Sequence, residues 1–390
     1  MLDFMDNVQH AFYEASHWNV DNSYGALNAT ARALLDFDIP RGLRLQISSL
    51  AAPNFATSYT LGSVGVVDGS VSYLYSSLPL RKDFRSSRID LHHVIRGYKH
   101  LQELRKPDEK WFWETWHAGR RVDRKNTLLY GRIFLPQSRL EALYLRRLTP
   151  TRQLRIAAVS DSNLNNGGTI LTLLQNDFGK YSTEYMYSTD SALMGLRGLY
   201  NFGPDPRNAP TDPEHADPAH GRFSAGAELY YGILNKSGGI STGLRFTTLP
   251  NHPGFPYTMT LTLNPLMGNL SSTYAVKAGP NLALCSRFDF NFYSYESELQ
   301  LGCELWRLRR SNADTQWAVK KLRPDWKRAA VAPDDDVAGV LKAKVDQDWR
   351  IGLLWEGRIK ELLFTLGASL DLKKREQIFR SVGLELQYSS

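Results

Sequence analysis

The side chains best able to do chemistry are few in this sequence and poorly grouped. His92 and His93 adjoin, but no carboxylate or thiolate falls at ligand spacing, so no metal is expected there. His215 and His220 lie among the prolines of 203–221 and read as solvated. Asp161 and the triplet Asp334-Asp335-Asp336 have no nucleophile or base partner at motif spacing. There is no glycine-rich phosphate loop and no Gly-x-Ser-x-Gly elbow. The two cysteines, Cys285 and Cys303, cannot build a disulfide framework. This inventory supports neither catalysis nor a cofactor site, and the chain is expected not to be an enzyme. What remains is aromatic and basic. Trp111-Phe112-Trp113 and Trp116 could dock on a partner or a headgroup layer, or pack within their own loop.

The elements that would position such groups follow from composition and periodicity. The chain has 390 residues, 42% hydrophobic and 22% charged, which supports a folded core. Mean hydropathy is −0.37, and no run of about 20 apolar residues offers a spanning helix. Aromatics reach 12%, with 19 Tyr, 17 Phe and 9 Trp. The net charge of +7 is uneven: Arg81 to Arg155 holds 19 Lys/Arg against 8 Asp/Glu, and Arg307 to Arg328 holds 8 against 2. Such patches can bind anionic partners, although no nucleic-acid motif accompanies them. The start, Met1 to Asp6, is acidic and lacks the basic region of a signal or transit peptide.

Residues 1–40 read as a helical segment. Leu2, Met5, Val8, Phe12 and Ala15 share one helical face, and a second run after Asp21 and Ser23 ends at Pro40. From 41 to 390 the period is near 2. Met259, Leu261 and Leu263 alternate with Thr258, Thr260 and Thr262; Leu299, Leu301 and Cys303 alternate with Glu298, Gln300 and Glu304. Val345 to Trp355 reads as one strand, and a weaker strand is expected near 88–98. In all, about 18 or 19 strands are expected, many of spanning length, interrupted by long loops at 81–126, 203–221 and 310–342. No linker divides the chain.

Charge placement tests the alternation. Glu184, Arg197, Glu228, Arg245, Lys277, Glu298, Glu304, Asp348 and Arg350 all fall opposite the apolar set of their strands. A slip of one residue would reverse every one of them. The segregation suits either a soluble sandwich, apolar inside, or a transmembrane β-barrel, apolar outside. Three features favour the barrel. So many strands run without a domain break. Tyr257, Phe288, Trp355 and Tyr388 sit near the ends of apolar faces, as girdles do. Without apolar helices, only a closed barrel satisfies the backbone in lipid. Cys285 and Cys303 then point to opposite faces of neighbouring strands. Tyr73 and Tyr75 project from one face just before Pro79-Leu80-Arg81-Lys82, either as a partner-binding pair at the membrane rim or as ordinary girdle.

The last strand carries a further pattern. Ser381, Gly383, Leu386 and Tyr388 place a polar residue, a glycine two later, and apolar residues three and five beyond it, as the mitochondrial β-barrel insertion signal does. Leu384, Leu386 and Tyr388 would form its lipid face, and Gly383 would permit close backbone approach during strand insertion.

Together with that ending, Met1-Leu-Asp-Phe-Met-Asp6, Asp21-Asn-Ser-Tyr24, Leu34-Leu-Asp-Phe37, Phe55-Ala-Thr-Ser-Tyr-Thr-Leu-Gly62, Gly69-Ser-Val-Ser-Tyr-Leu-Tyr75, Tyr130-Gly-Arg132 and Arg147-Leu-Thr-Pro150 closely resemble the fungal mitochondrial distribution and morphology protein ten family. The resemblance covers essentially the whole chain. It implies an all-β barrel of 19 strands related to the voltage-dependent anion channel and the import pore, with the N-terminal segment in or near the lumen. It implies a place in the mitochondrial outer membrane and at ER–mitochondria contact sites. The implied partners in the tether are the ER-anchored maintenance of mitochondrial morphology protein and distribution and morphology proteins twelve and thirty-four. The sorting and assembly machinery and components of the outer-membrane translocase, whose late assembly the family assists, are implied beside membrane lipid. The other readings of the residues are a transport pore, since so many strands enclose a wide lumen, and a soluble β-protein binding an acidic partner.

Overall fold

The computed structural model describes residues 1–64, 66–80, 84–104, 106–107, 114–123, 126–164, 166–203, 220–249, 252, 254–308, 337–373 and 378–390. Nineteen strands form one sheet that closes on itself. They are β1 (Gly42–Ala52), β2 (Phe55–Val64), β3 (Val66–Ser76), β4 (Thr127–Leu135), β5 (Arg139–Thr149) and β6 (Arg152–Ser160). Then come β7 (Gly168–Asp177), β8 (Tyr181–Ser188), β9 (Leu193–Asn201), β10 (Gly221–Gly232), β11 (Ser237–Thr248), β12 (Tyr257–Asn264) and β13 (Asn269–Lys277). The circuit ends with β14 (Leu282–Asn291), β15 (Ser297–Leu308), β16 (Val337–Asp346), β17 (Arg350–Ile359), β18 (Leu362–Asp371) and β19 (Phe379–Ser389). Each strand pairs antiparallel with the next. An odd number of strands cannot alternate all the way round, so β1 and β19 meet in parallel, from Gly42 opposite Gly383 to Ser48 opposite Ser389. Among the described residues no helix is long and apolar enough to cross a membrane, and the strands form the wall.

The polarity of the wall is that of a membrane barrel. Leu43, Leu45 and Ile47 on β1, Met259 and Leu261 on β12, and Leu353 and Trp355 on β17 are exposed on the outer surface. Their alternates face inward, where Glu184 is 3%, Arg245 1% and Glu304 0% exposed. The sandwich reading, with apolar side chains inside, is therefore excluded.

Strand alternation sorts the connections between two mouths. The three long connections, 77–126, 202–220 and 309–336, all leave the mouth that also holds the end of β19, whereas the opposite mouth carries short turns such as 136–138, 233–236 and 347–349. A small separate hairpin, Glu114–His117 paired with Arg120–Asp123, belongs to the first of the long connections.

Three local expectations change. Val345 to Trp355 is not one strand: Asp346 ends β16 and Arg350 begins β17, with Asp348 in the turn between them. Trp349 makes that turn at φ 59°, so the alternation continues through a reversal of direction. Strand β16 starts at Val337, inside the stretch 310–342 expected as a loop. Residues 88–98 hold a short helix, α3 (Leu91–Val94), in place of a strand, with Asp90 accepting from the His92 N–H at its N-terminus (2.9 Å).

Inside the wall lies a second layer. Helix α1 (Phe4–Ala15) buries Phe4, Met5, Val8 and Phe12 against Leu74, Leu128 and Leu145. The lumen face is apolar beneath this helix and polar over much of the remaining circuit, so a hydrophobic contact holds it in place. A 3-10 turn at Tyr24–Ala26, capped by Ser23, and helix α2 (Ala29–Leu35) continue the segment. Leu34 and Leu35 pack with Ala275, Ala283 and Cys285.

Candidate functional site

The N-terminal segment makes a lap of the lumen wall, anchored at successive strands. The carboxylate of Asp3 sits at the helix N-terminus but turns away from it, accepting from Gln46 on β1 and from Arg132 on β4 (3.4 Å). Trp18 lies under the Arg147 guanidinium of β5, 4.4 Å from ring centre to carbon. Asn22 donates to Asp177 (2.6 Å) and to the Gly179 carbonyl (3.0 Å), and accepts from Asn201 (2.8 Å). Tyr24 bonds Ser241 of β11 at 2.8 Å, and Arg287 of β14 grips Asp36 with two bonds of 2.8 Å. Pro40 and Arg41 then pass over the inner face of β19 before entering β1.

The first long connection adds an arc on the same side as its mouth. Ser86 N donates to the Ser389 carbonyl (3.1 Å) and Ser389 Oγ donates to the Phe84 carbonyl (2.5 Å), which fastens the end of β19. Arg358 of β17 donates to the carbonyls of Ser87 (3.2 Å) and Ile89 (2.9 Å), and Lys342 of β16 to that of Arg96. Arg222 of β10 donates to the Gln102 carbonyl (3.3 Å). Ile89, Leu91, Val94 and Ile95 are buried with Leu2, Val340 and Leu363. Burial raises the Asp6 carboxyl above its ordinary range, Asp3 adds to this, and Arg96 at 3.0 Å opposes it.

A polar belt lies across the wall where the lap leaves room. Gln153, Gln175, Glu184, Arg197, Glu228 and Ser241 stand opposite one another on β6 to β11. Gln153 donates to Gln175 (3.1 Å) and Gln175 to Glu184 (2.8 Å); Arg197 reaches Glu184 at 3.6 Å and Glu228 at 3.1 Å. Lys342 and Glu356 form a second, fully buried pair at 3.1 Å. The sequence placed several of these charges on the inner face, but face alone does not name a partner, and the pairings were not legible.

The sequence-derived candidates divide by parity. Ser381 and Gly383 face the lumen, whereas Leu386 and Tyr388 face outward, opposite Leu45 and Ile47 in the parallel seam. A β-carbon added at Gly383 would stand 2.4 Å from the Pro40 carbonyl oxygen. In the folded barrel Gly383 thus lies under the strap, a contact separate from the approach during insertion expected of it. Tyr73 and Tyr75 share the outer face of β3, each 47% exposed, on the half nearer the long-loop mouth. Tyr73 stacks on Phe55 (6.0 Å, 18°), and Tyr59 is exposed on the same outer surface, so the pair belongs to a larger aromatic group the sequence had not assembled.

Other candidates come to less. Contrary to the expectation that no carboxylate falls at ligand spacing, Asp90 approaches His93 at 3.8 Å, three residues before it on the turn of α3; among the described residues, however, no group of three or more metal ligands forms. Cys285 is buried in the lumen lining and Cys303 stands on the opposite face, both free. Trp111-Phe112-Trp113, the Trp116 side chain, Arg81, Lys82, His215 and Asp334–Asp336 lie outside the described residues.

Comparison with known proteins gives the family. The sequence profile described as Mitochondrial distribution and morphology protein 10 matches residues 1–333 and 320–390. The protein of that name from Phaeosphaeria nodorum is 92% identical over 393 residues, covering 100% of both chains. Those of Sclerotinia sclerotiorum and Neurospora crassa are 64% and 43% identical, again over 100% of both chains. A mitochondrial protein with a β-barrel fold fits the outer membrane, and the relatives' name supports a role in mitochondrial distribution and morphology. The chain belongs to the Mitochondrial distribution and morphology protein 10 family.

Proposed function

We propose that the chain is an outer-membrane anchor for the ER–mitochondria tether, and that it also assists the sorting and assembly machinery in the late assembly of the outer-membrane translocase. On this reading it carries out no catalysis; it holds the tether subunits at contact sites, where lipid exchange and mitochondrial shape depend on them. The observation that carries the reading is the contrast between the two faces of the wall. The lumen is lined by the chain's own residues 1–41 and 84–102, while the outer wall presents the aromatic group Phe55, Tyr59, Tyr73 and Tyr75. A scaffold needs an outer docking face, whereas a pore needs a clear lumen. Replacing both Tyr73 and Tyr75 by alanine is expected to reduce co-purification of tether subunits several-fold with the barrel still inserted, since aromatic anchors dominate interface energies. Unchanged complexes on native gels would remove the pair from the docking face.

The second reading, a transport pore, rests on strand number: barrels of 16–18 strands hold aqueous channels. Single-channel recording separates the two. The lined lumen is expected to give a conductance far below that of an open pore of this size. A large, stable conductance would instead favour the pore.

A further inference from the structure

We propose that a cavity beside the β1–β19 seam binds a phosphate ester, the headgroup of an anionic phospholipid. The cavity, about 460 Å³, lies at the short-turn mouth between the strap Phe37–Arg41 and the ends of β16 to β19. That volume falls within the range of small-ligand sites. Arg41, Lys344, Arg350 and Arg380 line it, against the carboxylates of Asp38 and Asp346, which leaves an excess of positive charge.

The positive charge is only partly offset. Among the described residues, Arg350 reaches a carboxylate (Asp348, 3.7 Å), while Arg41, Lys344 and Arg380 have none within 4 Å. Lys344 instead rests its ammonium 4.9 Å from the centre of the Phe37 ring. Cations gathered around one space repel each other unless an anion joins them. Guanidinium forks match phosphate oxygens in pairs, and a lysine adds a point charge. The hydroxyls of Ser369 and Ser381 stand on the same wall as further donors, and Ile39 supplies an apolar side for the ester substituent. Asp346 ends β16 and Arg350 begins β17, so the cavity sits at the strand ends, the level of a spanning barrel at which headgroups lie. The site gives Ser381 a use besides that in the insertion pattern, and it does not depend on the tether reading.

The test uses the full chain in nanodiscs of phosphatidylcholine doped with phosphatidic acid, followed by mild detergent extraction and native mass spectrometry of retained lipid. The wild type is expected to retain phosphatidic acid in preference to phosphatidylcholine. Arg41→Gln with Arg380→Gln should lower that retention about tenfold, as does Lys344→Gln in part, while Arg155→Gln on β6, outside the cavity, should not. Equal retention of the two lipids by the wild type overturns the proposal, and that readout stands even where a variant fails to fold. Unchanged retention in the double variant overturns it as well. Should inorganic phosphate bind to the wild type while phosphatidic acid shows no preference, the occupant is free phosphate and the headgroup assignment falls.

Discussion

Replacing Arg197 by methionine is expected to destabilise the folded barrel by about 2–4 kcal/mol. Arg197 is the one cation between two carboxylates in a row of directly opposed residues, Glu184 on β8 and Glu228 on β10. It contacts both, at 3.6 and 3.1 Å, and its Nε also donates to Tyr230 Oη at 2.7 Å. Glu184 is only 3% exposed, so its charge cannot be rehydrated without opening the lining. Without the arginine, two carboxylates two strands apart, about 10 Å, would face each other across an apolar thioether. Lumen water still touches Arg197 and Glu228, which screens the loss and keeps the figure toward the lower part of the range for buried pairs. Arg197→Met together with Glu184→Gln and Glu228→Gln should recover most of the stability, because no unpaired charge is left. Lysine at 197 should recover part, since one ammonium cannot bridge both partners with a planar fork. Unfolding of the purified barrel in detergent, followed by tryptophan fluorescence, provides the measurement. A single methionine variant within about 0.5 kcal/mol of wild type would show that the belt contributes nothing to stability.

The belt also shows which parts of the architecture the sequence could encode legibly. Parity along a strand is a local property, so the side on which Glu184, Arg197 and Glu228 stand is readable from alternation with Tyr185, Leu196 and Leu229. Their mutual opposition depends on the register of three strands, which is set by turn lengths and closure and leaves no local trace. The inner layer is harder still. The lap from Asp3 to Arg41 is made of contacts such as Asp3–Arg132 and Asp36–Arg287, far apart in sequence. One signal of it did exist. In β3 to β5 apolar residues occupy both parities, with Leu128 buried in the lumen and Leu129 exposed outside. A strand apolar on both faces must be covered on both, and here α1 covers the inner one. The same logic explains the misread turn at Asp346–Arg350. The turn at Trp349 leaves parity undisturbed, so periodicity alone cannot report it. Residues 84–102 show the opposite failure: their apolar side chains have no strong period, because they pack along an arc of differing wall residues.

Gly383→Ala is expected to cost about 3 kcal/mol or to leave the barrel unable to close. The added β-carbon would stand 2.4 Å from the Pro40 carbonyl oxygen, 2.5 Å from its carbonyl carbon and 2.7 Å from the Arg41 nitrogen. All three are backbone atoms, so no rotamer change relieves the clash. The strap has little freedom to retreat. Proline fixes one dihedral, Pro40 also packs over Gly367, and Gly42 is already paired with Gly383 at the start of the parallel seam. Moving the strap inward, away from the wall, would pull β1 from β19 at the one pairing among the described strands that is parallel, a geometry slightly weaker per residue than the antiparallel one. Gly198→Ala on the outer wall, where no atom lies within 4 Å of the added carbon, should stay within about 0.5 kcal/mol of wild type and serves as the control. The glycine of the insertion pattern then has a role in the finished fold that is separable from recognition during insertion. Refolding from denaturant into detergent, with no insertion machinery present, isolates it. A Gly383→Ala barrel that refolds and unfolds like wild type would assign the glycine to recognition alone, whereas loss of stability in that machinery-free setting assigns it to the passage of the strap over the closing strand.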